Sequence, residues 1–178
     1  MYFVDAAHFV LAPFLGYLWT RVRRFIRAPA GRQRFNVLGA IDAITHQLVT
    51  VSNDSYINAQ SVCDLLQKIA ASHAGIPITL VLDNARYQKC KLVWALAESL
   101  NIEMLYLPSY SPNLNLIERL WKFVKKQVLY SKYYADFGAF SAAITDCLAR
   151  THTDHKASLD SLLTLRFQTL QEPQNVAA

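Results

Sequence analysis

The stretch LVLDNARYQ, residues 80–88, ends a run of apolar, β-prone residues in a carboxylate. The apolar run starts at Ile78 and stops abruptly at Asp83. Near-continuous apolar residues are typical of a strand that is covered on both faces, and such a strand delivers the acid that follows it to the rim of a sheet. We therefore predict a strand over residues 78–83, with Asp83 at its end.

A second stretch, SPNLNLIERLW at residues 111–121, is a loop of Ser, Pro and Asn that turns into an amphipathic helix. The pattern predicts that Glu118 lies in the first turn of this helix. A third acid, Asp5, follows apolar β-formers at the beginning of the chain. Carboxylates on three elements can converge, and hard oxygen ligands are those that Mg²⁺ prefers. The sequence therefore predicts an oxygen-rich cation site.

Three lysines share the polar face of the predicted helix with Glu118. They are Lys122, Lys125 and Lys126. A lysine track that leads away from a cation-binding carboxylate suits a phosphodiester backbone. The alternative is an ordinary solvated i,i+4 pair between Glu118 and Lys122, which is worth only about 0.3–0.5 kcal/mol. The helical periodicity alone leaves both interpretations open.

Six arginines lie close together near the beginning of the chain, with Phe25 and a Pro-Ala-Gly turn among them. They are Arg21, Arg23, Arg24, Arg27, Arg32 and Arg34. Arginines interleaved with aromatic residues suit phosphate contacts and stacking on bases or sugars. The alternative is a solvated hairpin whose charges keep a sheet edge from aggregating. We favour the nucleic-acid interpretation because of the acidic cluster elsewhere in the chain.

The composition indicates one domain with a basic excess. The 178 residues are 53% hydrophobic, which is enough for one core but makes a second full domain unexpected. A net charge of +5 permits a polyanionic partner without requiring one. The cysteines, Cys63, Cys90 and Cys147, are far apart, which favours a reducing, intracellular setting. The apolar residues 9–19 are too short to span a membrane and are broken by Pro13, so no export or membrane segment is predicted.

Hydrophobic periodicity predicts an opening strand meander followed by alternating helices and strands. The predicted strands cover residues 2–10, 35–42, 46–52, 78–83 and 102–107. The predicted helices cover about 58–74, 88–100, 116–130, 137–150 and 158–170. Asn58 is expected to be the N-cap of the first helix, and Leu92, Val93, Leu96 and Leu100 are expected to face inward from the second. This order predicts an α/β fold, with a mixed five-stranded sheet covered by helices.

Together these motifs resemble the DDE transposase domain of the IS630/Tc1/mariner superfamily. The resemblance rests on Asp5, residues 36–40 (NVLGA), residues 83–87 (DNARY) and residues 111–121, in the family's order. It covers about residues 2–130 and implies an RNase H-like fold. It also implies that Asp5, Asp83 and Glu118 are a catalytic triad that binds two divalent cations, Mg²⁺ or Mn²⁺. Members of the family cut and join DNA at the ends of mobile elements.

The resemblance implies a domain organisation and partners as well. Residues 1–135 are expected to form the RNase H-like core, and residues 136–178 to add C-terminal helices that complete the same domain. The implied partners are transposon-end and target DNA, with a homodimer assembled on the DNA and no membrane. Family members usually carry helix-turn-helix domains ahead of the first Asp, so such a portion is expected upstream in the same or another reading frame. The implied location is the bacterial cytoplasm, in association with the nucleoid.

The sequence departs from the family's pattern at two positions. Gln88 stands where a histidine is common, and Leu116 stands where a proline is usual. Neither change removes an acid of the triad. The second is expected to loosen the start of the helix, because proline is favoured in the first helical turn.

Three functions remain compatible with these residues. The first is a DNA strand transferase at transposon ends, the second an RNase H-type or junction nuclease, and the third an inactive transposase remnant that only binds DNA or another transposase subunit. A separate motif, His152-x-x-His155 with Asp154 between the histidines, has a spacing that could hold a metal. It has no further ligands nearby in the sequence, so a solvated loop is expected there.

Overall fold

Five strands form one mixed sheet. The computed structural model describes residues 1–11, 21–22, 33–73, 75–108 and 111–167 of the chain. The strands are β1 (Tyr2–Val10), β2 (Arg34–Asp42), β3 (Leu48–Asn53), β4 (Ile78–Leu82) and β5 (Ile102–Tyr106). Their order across the sheet is β3-β2-β1-β4-β5.

The central strand, β1, has an antiparallel neighbour on one side and a parallel neighbour on the other. It is antiparallel to β2, with Asp5 opposite Gly39, and parallel to β4, with Val4 opposite Leu82. The pair β2 and β3 is antiparallel and the pair β4 and β5 is parallel. A parallel pair needs a long crossover connection, and a helix lies between β4 and β5 in the chain. The predicted mixed five-stranded α/β sheet is confirmed.

Helices cover both faces of this sheet. Those of the described residues are α1 (Ala59–Ser72), α2 (Lys91–Ser99), α3 (Ile117–Val128), α4 (Phe137–Ala149) and α5 (Lys156–Leu162), with short 3-10 turns at Arg86–Gln88 and Pro112–Leu114. One core lies between the sheet and α1 and α2, and the other between the sheet and α3, α4 and α5. Successive β1 residues alternate between them, with Phe3 and Phe9 on the α3 side and Tyr2 and Val4 on the α1 side.

The C-terminal helices share the core of the α3 side. Phe140 and Ile144 of α4 and Leu159 of α5 are buried in the same cluster as Phe3 and Trp121. This packing agrees with the expectation that residues 136–178 complete the same domain, although the boundary itself stays a prediction. Within the described ranges, no helix combines the length and the apolar character needed to cross a membrane.

Local capping determines where α1 begins. The Asn58 side chain accepts a hydrogen bond from the Ser61 N–H at 3.0 Å, and the Ser61 hydroxyl accepts one from the Asn58 N–H at 3.4 Å. The predicted N-cap is therefore confirmed as half of a reciprocal capping box. At the start of α3, Leu116 makes no side-chain cap and is instead fully buried in the core.

Two predictions about the helices are wrong. Leu92, expected to face the core, is 56% exposed, because α2 turns Val93 and Ala97 inward. The last helix, predicted over 158–170, ends at Leu162. The next residues, 163–167, are not helical, and the carbonyls of Thr164 and Arg166 accept hydrogen bonds from the Arg119 side chain instead. Residues 168–170 lie outside the described part of the chain.

Candidate active site

Asp5 lies in β1 on the face that α3 covers. Burial raises the pKa of Asp5 to about 7, and the charges of Glu118 and Asp83 contribute to the rise, while the Ala6 N–H and the Trp121 indole lower it. Glu118 and Asp83 are thus near enough to Asp5 for their charges to act on its proton. The structure therefore brings the three acids predicted from the sequence together.

The strand register explains why Asp5 and Asp83 meet. Val4 and Leu82 are paired across the parallel strands β1 and β4, and each is followed directly by its acid. Neighbouring strands lie about 4.8 Å apart, so the two acids occupy adjacent positions on the same face of the sheet. One Asp83 carboxylate oxygen, Oδ1, is buried and has no hydrogen-bond partner among the described residues.

Glu118 reaches the same place from the first turn of α3. Asn115, which is 3% exposed, ties this turn to β1, because its Nδ2 donates a hydrogen bond of 3.1 Å to the Val4 carbonyl. Val4 is the residue before Asp5, so one amide side chain joins the loop that carries Glu118 to the strand that carries Asp5. Glu118 forms no ion pair with Lys122 within the described part of the chain.

Buried polar atoms without partners are concentrated at this site. Within the described residues they are Asp83 Oδ1, both amide atoms of Gln88, Asn115 Oδ1 and Trp121 Nε1, which is near enough to Asp5 to lower its pKa but does not meet hydrogen-bond geometry. All four residues belong to the two motifs that carry Asp83 and Glu118. A buried polar atom normally has a partner, so the unpaired oxygens of Asp83 and Asn115, on the elements that carry the acids, are typical of a site that binds a polar ligand.

The donor set fits a hard cation. Three carboxylates and an unpaired, buried carboxylate oxygen are the ligands that Mg²⁺ and Mn²⁺ prefer. Nevertheless, no three acidic, histidine or cysteine side chains of the described ranges already surround a single ion position. Residues that could hold a cation are therefore Asp5, Asp83 and Glu118, by their chemistry and their proximity.

Two further side chains of the first motif belong to the site. Burial and the negative charges of Asp83 and Asp5 raise the pKa of Tyr87, so its phenol is near enough to both acids for their charges to act on it. Asn84 donates a hydrogen bond of 2.5 Å from Nδ2 to the Leu107 carbonyl, which ties the end of β4 to the end of β5. Tyr87 was not selected from the sequence, and its only signal was its place four residues after Asp83.

A cleft opens beside Glu118 between the start of α3 and the C-terminal part of the chain. It has a volume of about 390 Å³ and is lined by Asn113, Asn115, Glu118, Arg119, Lys122, Leu162 and Arg166. Lys122 was predicted from the sequence, whereas Arg119 and Arg166 were not. Their convergence depends on how the chain folds back after α5, which no local pattern shows.

The structure describes some of the predicted DNA-contact residues. Lys122, Lys125 and Lys126 are exposed on α3. Arg21 and Arg34 are exposed as well. The remaining predicted arginines, which are Arg23, Arg24, Arg27 and Arg32, lie outside the described residues.

The residues of the histidine motif make separate contacts. His152 Nε2 accepts a hydrogen bond from the Leu48 N–H at 3.3 Å. The His155 ring packs edge-on against Phe123, and Asp154 pairs with Arg150 at 3.4 Å. No three-ligand cluster occurs there within the described part of the chain, where a solvated loop was expected.

Comparison with solved structures shows what this fold is similar to. The Mos1 transposase paired-end complex with left transposon end matches 92% of this chain and 51% of its own chain at 14% identity, with a TM-score of 0.65. Mos1 paired-end complexes with Mg and with Mn match similarly. The HTLV-2 integrase catalytic core domain in complex with magnesium (dimeric form) matches 86% of both chains at 15% identity, with a TM-score of 0.55. At these identities the likeness establishes the RNase H-like fold alone.

Comparison of sequences gives the family. A 39 kDa protein of insertion element IS630 from Shigella sonnei is 26% identical over 126 residues, which are 68% of this chain and 36% of that protein. The chain thus spans about a third of that relative and about half of the Mos1 chain. The family profile described as DDE superfamily endonuclease matches residues 1–141. The resemblance drawn from the motifs is confirmed, and the chain belongs to the DDE superfamily endonucleases.

Proposed function

We propose that this chain is the catalytic part of a transposase that cleaves DNA at the ends of a mobile element and joins the cut strand to a target. The observation that carries the proposal is the convergence of Asp5, Asp83 and Glu118 from two strands and a helix. Such a cluster is unfavourable by itself, because two carboxylates about 4 Å apart repel by about 4 kcal/mol at an effective dielectric constant of 20. Bound cations would offset this repulsion, so a cation-dependent reaction explains why the three acids lie together.

In this proposal Asp5, Asp83 and Glu118 hold two Mg²⁺ or Mn²⁺ ions. When bound, the ions supply Lewis-acid stabilisation at phosphorus and an activated oxygen nucleophile. The similar Mos1 structures include complexes with Mg and with Mn, and the HTLV-2 integrase core is in complex with magnesium. In this chain Asn115 positions Glu118 against β1, and the Trp121 indole lies against Asp5. Both residues keep the acids in place without being ligands themselves.

DNA is the proposed substrate and partner. The similar Mos1 structure is a complex with the left transposon end, which supports a DNA substrate here. The exposed lysines 122, 125 and 126 of α3, together with Arg21 and Arg34, would contact phosphates. The predicted contacts of Arg23, Arg24, Arg27 and Arg32, the homodimer on DNA, the upstream helix-turn-helix portion and the nucleoid location are parts of the same proposal.

Cleavage of DNA by the triad tests the proposal. Asp83→Asn keeps the shape of the side chain but removes its charge, so it should abolish nicking of plasmid DNA in Mg²⁺ or Mn²⁺ while the melting temperature stays close to that of the parent. Asp5→Asn and Glu118→Gln should behave in the same way. Asp54→Asn, a matched change at an exposed turn, should keep the activity of the parent. Equal nicking by parent and Asp83→Asn would refute the assignment of the site.

Two more measurements separate the alternatives. Joining of a cut 3′ end to a second DNA molecule distinguishes a strand transferase from an RNase H-type or junction nuclease, which would stop after cleavage. An inactive remnant would bind DNA but would show no cation-dependent nicking in any buffer. Addition of Mg²⁺ should raise the melting temperature of the parent and leave that of Asp83→Asn nearly unchanged, because a ligand stabilises the state that binds it.

A further inference from the structure

A short segment after α5 folds back across the start of α3. We call this segment, residues 163–167, the C-terminal strap. Leu163, at its beginning, is 2% exposed and belongs to the core of the α3 side. Phe167, at its end, packs against Phe3 with the ring centres 5.8 Å apart. The strap is thus anchored at both ends, and its middle lies next to α3.

One side chain of α3 holds the strap. Arg119 Nη1 donates hydrogen bonds to the carbonyls of Leu162 at 3.2 Å and Thr164 at 2.6 Å, and Nη2 donates one to the carbonyl of Arg166 at 2.7 Å. The guanidinium carbon also lies 5.5 Å from the centre of the Phe167 ring. A planar fork with several donors can satisfy alternate carbonyls at once, which the single ammonium of lysine cannot do.

This anchor determines the shape of the cleft beside the triad. Arg119 directly follows Glu118, so the carbonyls that it binds are fixed next to the third acid. The start of α3 forms one wall of the 390 Å³ cleft, with Asn115 and Glu118, and the other wall includes Arg166 of the strap. Among the described residues, the hydrogen bonds to the middle of the strap come from Arg119, so this side chain sets the position of the second wall.

The side chains of the cleft point to an anionic ligand that also has polar groups. Lys122 and Arg166 are exposed, and neither forms an ion pair within the described part of the chain. Asn115 lines the cleft, is 3% exposed and has an Oδ1 without a hydrogen-bond partner. Two unpaired cations beside a cation-binding carboxylate are suited to the backbone phosphates on either side of a reacting phosphodiester.

We propose that the strap is the second wall of the DNA-binding cleft, that Arg166 contacts a backbone phosphate next to the triad, and that Arg119 is the positioning residue that holds Arg166 there. The inference rests on the proposed function, since it takes DNA as the ligand. It gives a function to Arg119, Arg166 and the strap, to which the sequence patterns assign none.

Three variants of the full chain test this inference. Arg166→Gln removes the contact, Arg119→Gln removes the anchor, and Arg150→Gln is the control, because Arg150 is already neutralised by Asp146 and Asp154. Affinity for a short DNA duplex is measured over a range of salt concentrations in EDTA. Arg166→Gln should lower the affinity and flatten the slope of log affinity against log salt by about one unit, as expected for one phosphate contact. Arg150→Gln should leave the slope unchanged.

A measurement without DNA tests the anchor separately. Trypsin can cut the peptide bond after Arg166 only when the strap is open and the Arg166 carbonyl no longer accepts a hydrogen bond from Arg119. Arg119→Gln should increase the population of the open strap and should therefore speed tryptic cleavage at this bond by about tenfold or more. Arg119→Gln should also weaken DNA binding about as much as Arg166→Gln, and the double variant should be no weaker than either. Arg119→Lys, which retains one charge and part of the hydrogen bonding, should fall between the parent and Arg119→Gln, and it replaces Arg119→Gln if that variant does not fold.

The possible results are distinct. An unchanged salt slope in Arg166→Gln, with nicking lost in Asp83→Asn, would overturn this inference and leave the proposed function intact. An unchanged rate of tryptic cleavage in Arg119→Gln would overturn the positioning role of Arg119. Absence of both binding and nicking in the parent would overturn the proposed function, and this inference with it.

Discussion

The indole of Trp121 packs directly on the backbone of Gly39, the β2 residue that lies opposite Asp5. A Cβ atom at position 39 would come within 2.7 Å of Trp121 Cη2 and within 3.1 Å of Ile117 Cδ1. Real side chains do not approach so closely, so any residue other than glycine must displace the ring. Because Trp121 also lies against Asp5, one close contact couples β2, α3 and the triad.

Gly39→Ala should therefore destabilise the protein and impair the site. Overpacking a close-packed core typically costs about 1–3 kcal/mol, and the loss should appear as a lower midpoint in urea denaturation with an unchanged slope. When Trp121→Phe is present in the same chain, Gly39→Ala should lower the free energy of unfolding by less, since the smaller ring leaves space for the added methyl group. A double-mutant cycle measures this coupling. Gly138→Ala, at an exposed position in α4, should stay within about 1 kcal/mol of the parent. A neutral Gly39→Ala would contradict the contact.

Asp5 should make the cation-free protein less stable as the pH rises. Its pKa is raised from 3.8 to about 7, so between these values the folded state keeps a proton that the unfolded chain releases. The contribution is complete below about pH 4 and is lost as the pH passes about 7. In EDTA, the free energy of unfolding should fall by up to about 3 kcal/mol between about pH 5 and pH 8, because one pKa unit corresponds to about 1.4 kcal/mol.

Asp5→Asn is the control for this pH dependence. Its free energy of unfolding should change less than that of the parent over the same range, because the amide does not titrate. Mg²⁺ should oppose the fall in the parent, since a bound cation favours the ionised carboxylate. Parallel curves for parent and Asp5→Asn in EDTA would show that Asp5 keeps an ordinary pKa.

Gln88 should tolerate an apolar side chain of similar shape. It is fully buried, and neither atom of its amide has a hydrogen-bond partner in the described part of the chain. An unsatisfied buried polar group costs about 1–3 kcal/mol, so Gln88→Met should be neutral or stabilising by about 1 kcal/mol in chemical denaturation. Gln60→Met, on the exposed side of α1, should stay within about 0.5 kcal/mol of the parent. A clear loss of stability in Gln88→Met would mean that the amide bonds to buried water.

The exposed lysines of α3 should supply non-specific affinity for DNA. Replacing Lys122, Lys125 and Lys126 together with glutamine should weaken binding and flatten the slope of log affinity against log salt by up to about three units, because roughly one counterion is released per phosphate contact. Lys68→Gln, on α1 at the opposite face of the sheet, is the control and should not change the slope. An unaltered slope in the triple variant would mean that these lysines do not contact phosphates and only form an ordinary solvated helix face.

Local patterns in the sequence were sufficient for most of the elements and for the identity of the acids. A strand buried on both faces must be apolar throughout, so residues 78–82 could be recognised and the acid after them placed at the sheet rim. The Asn58 capping box is likewise a contact between near neighbours. The acids of the triad follow from the motifs because each lies in or beside an element whose own residues position it.

The sequence by itself therefore determined the order of strands and helices, the α/β sheet, the family and the elements that carry the three predicted acids, since these depend on hydrophobic period and on residues a few positions apart. The tertiary structure decided the rest. Asn115 meets Val4, Trp121 meets Gly39 and Arg119 meets the strap across many intervening residues. The early end of α5 has the same cause, because helix propensity acts within a few residues while the Arg119 side chain competes from another element for the following carbonyls.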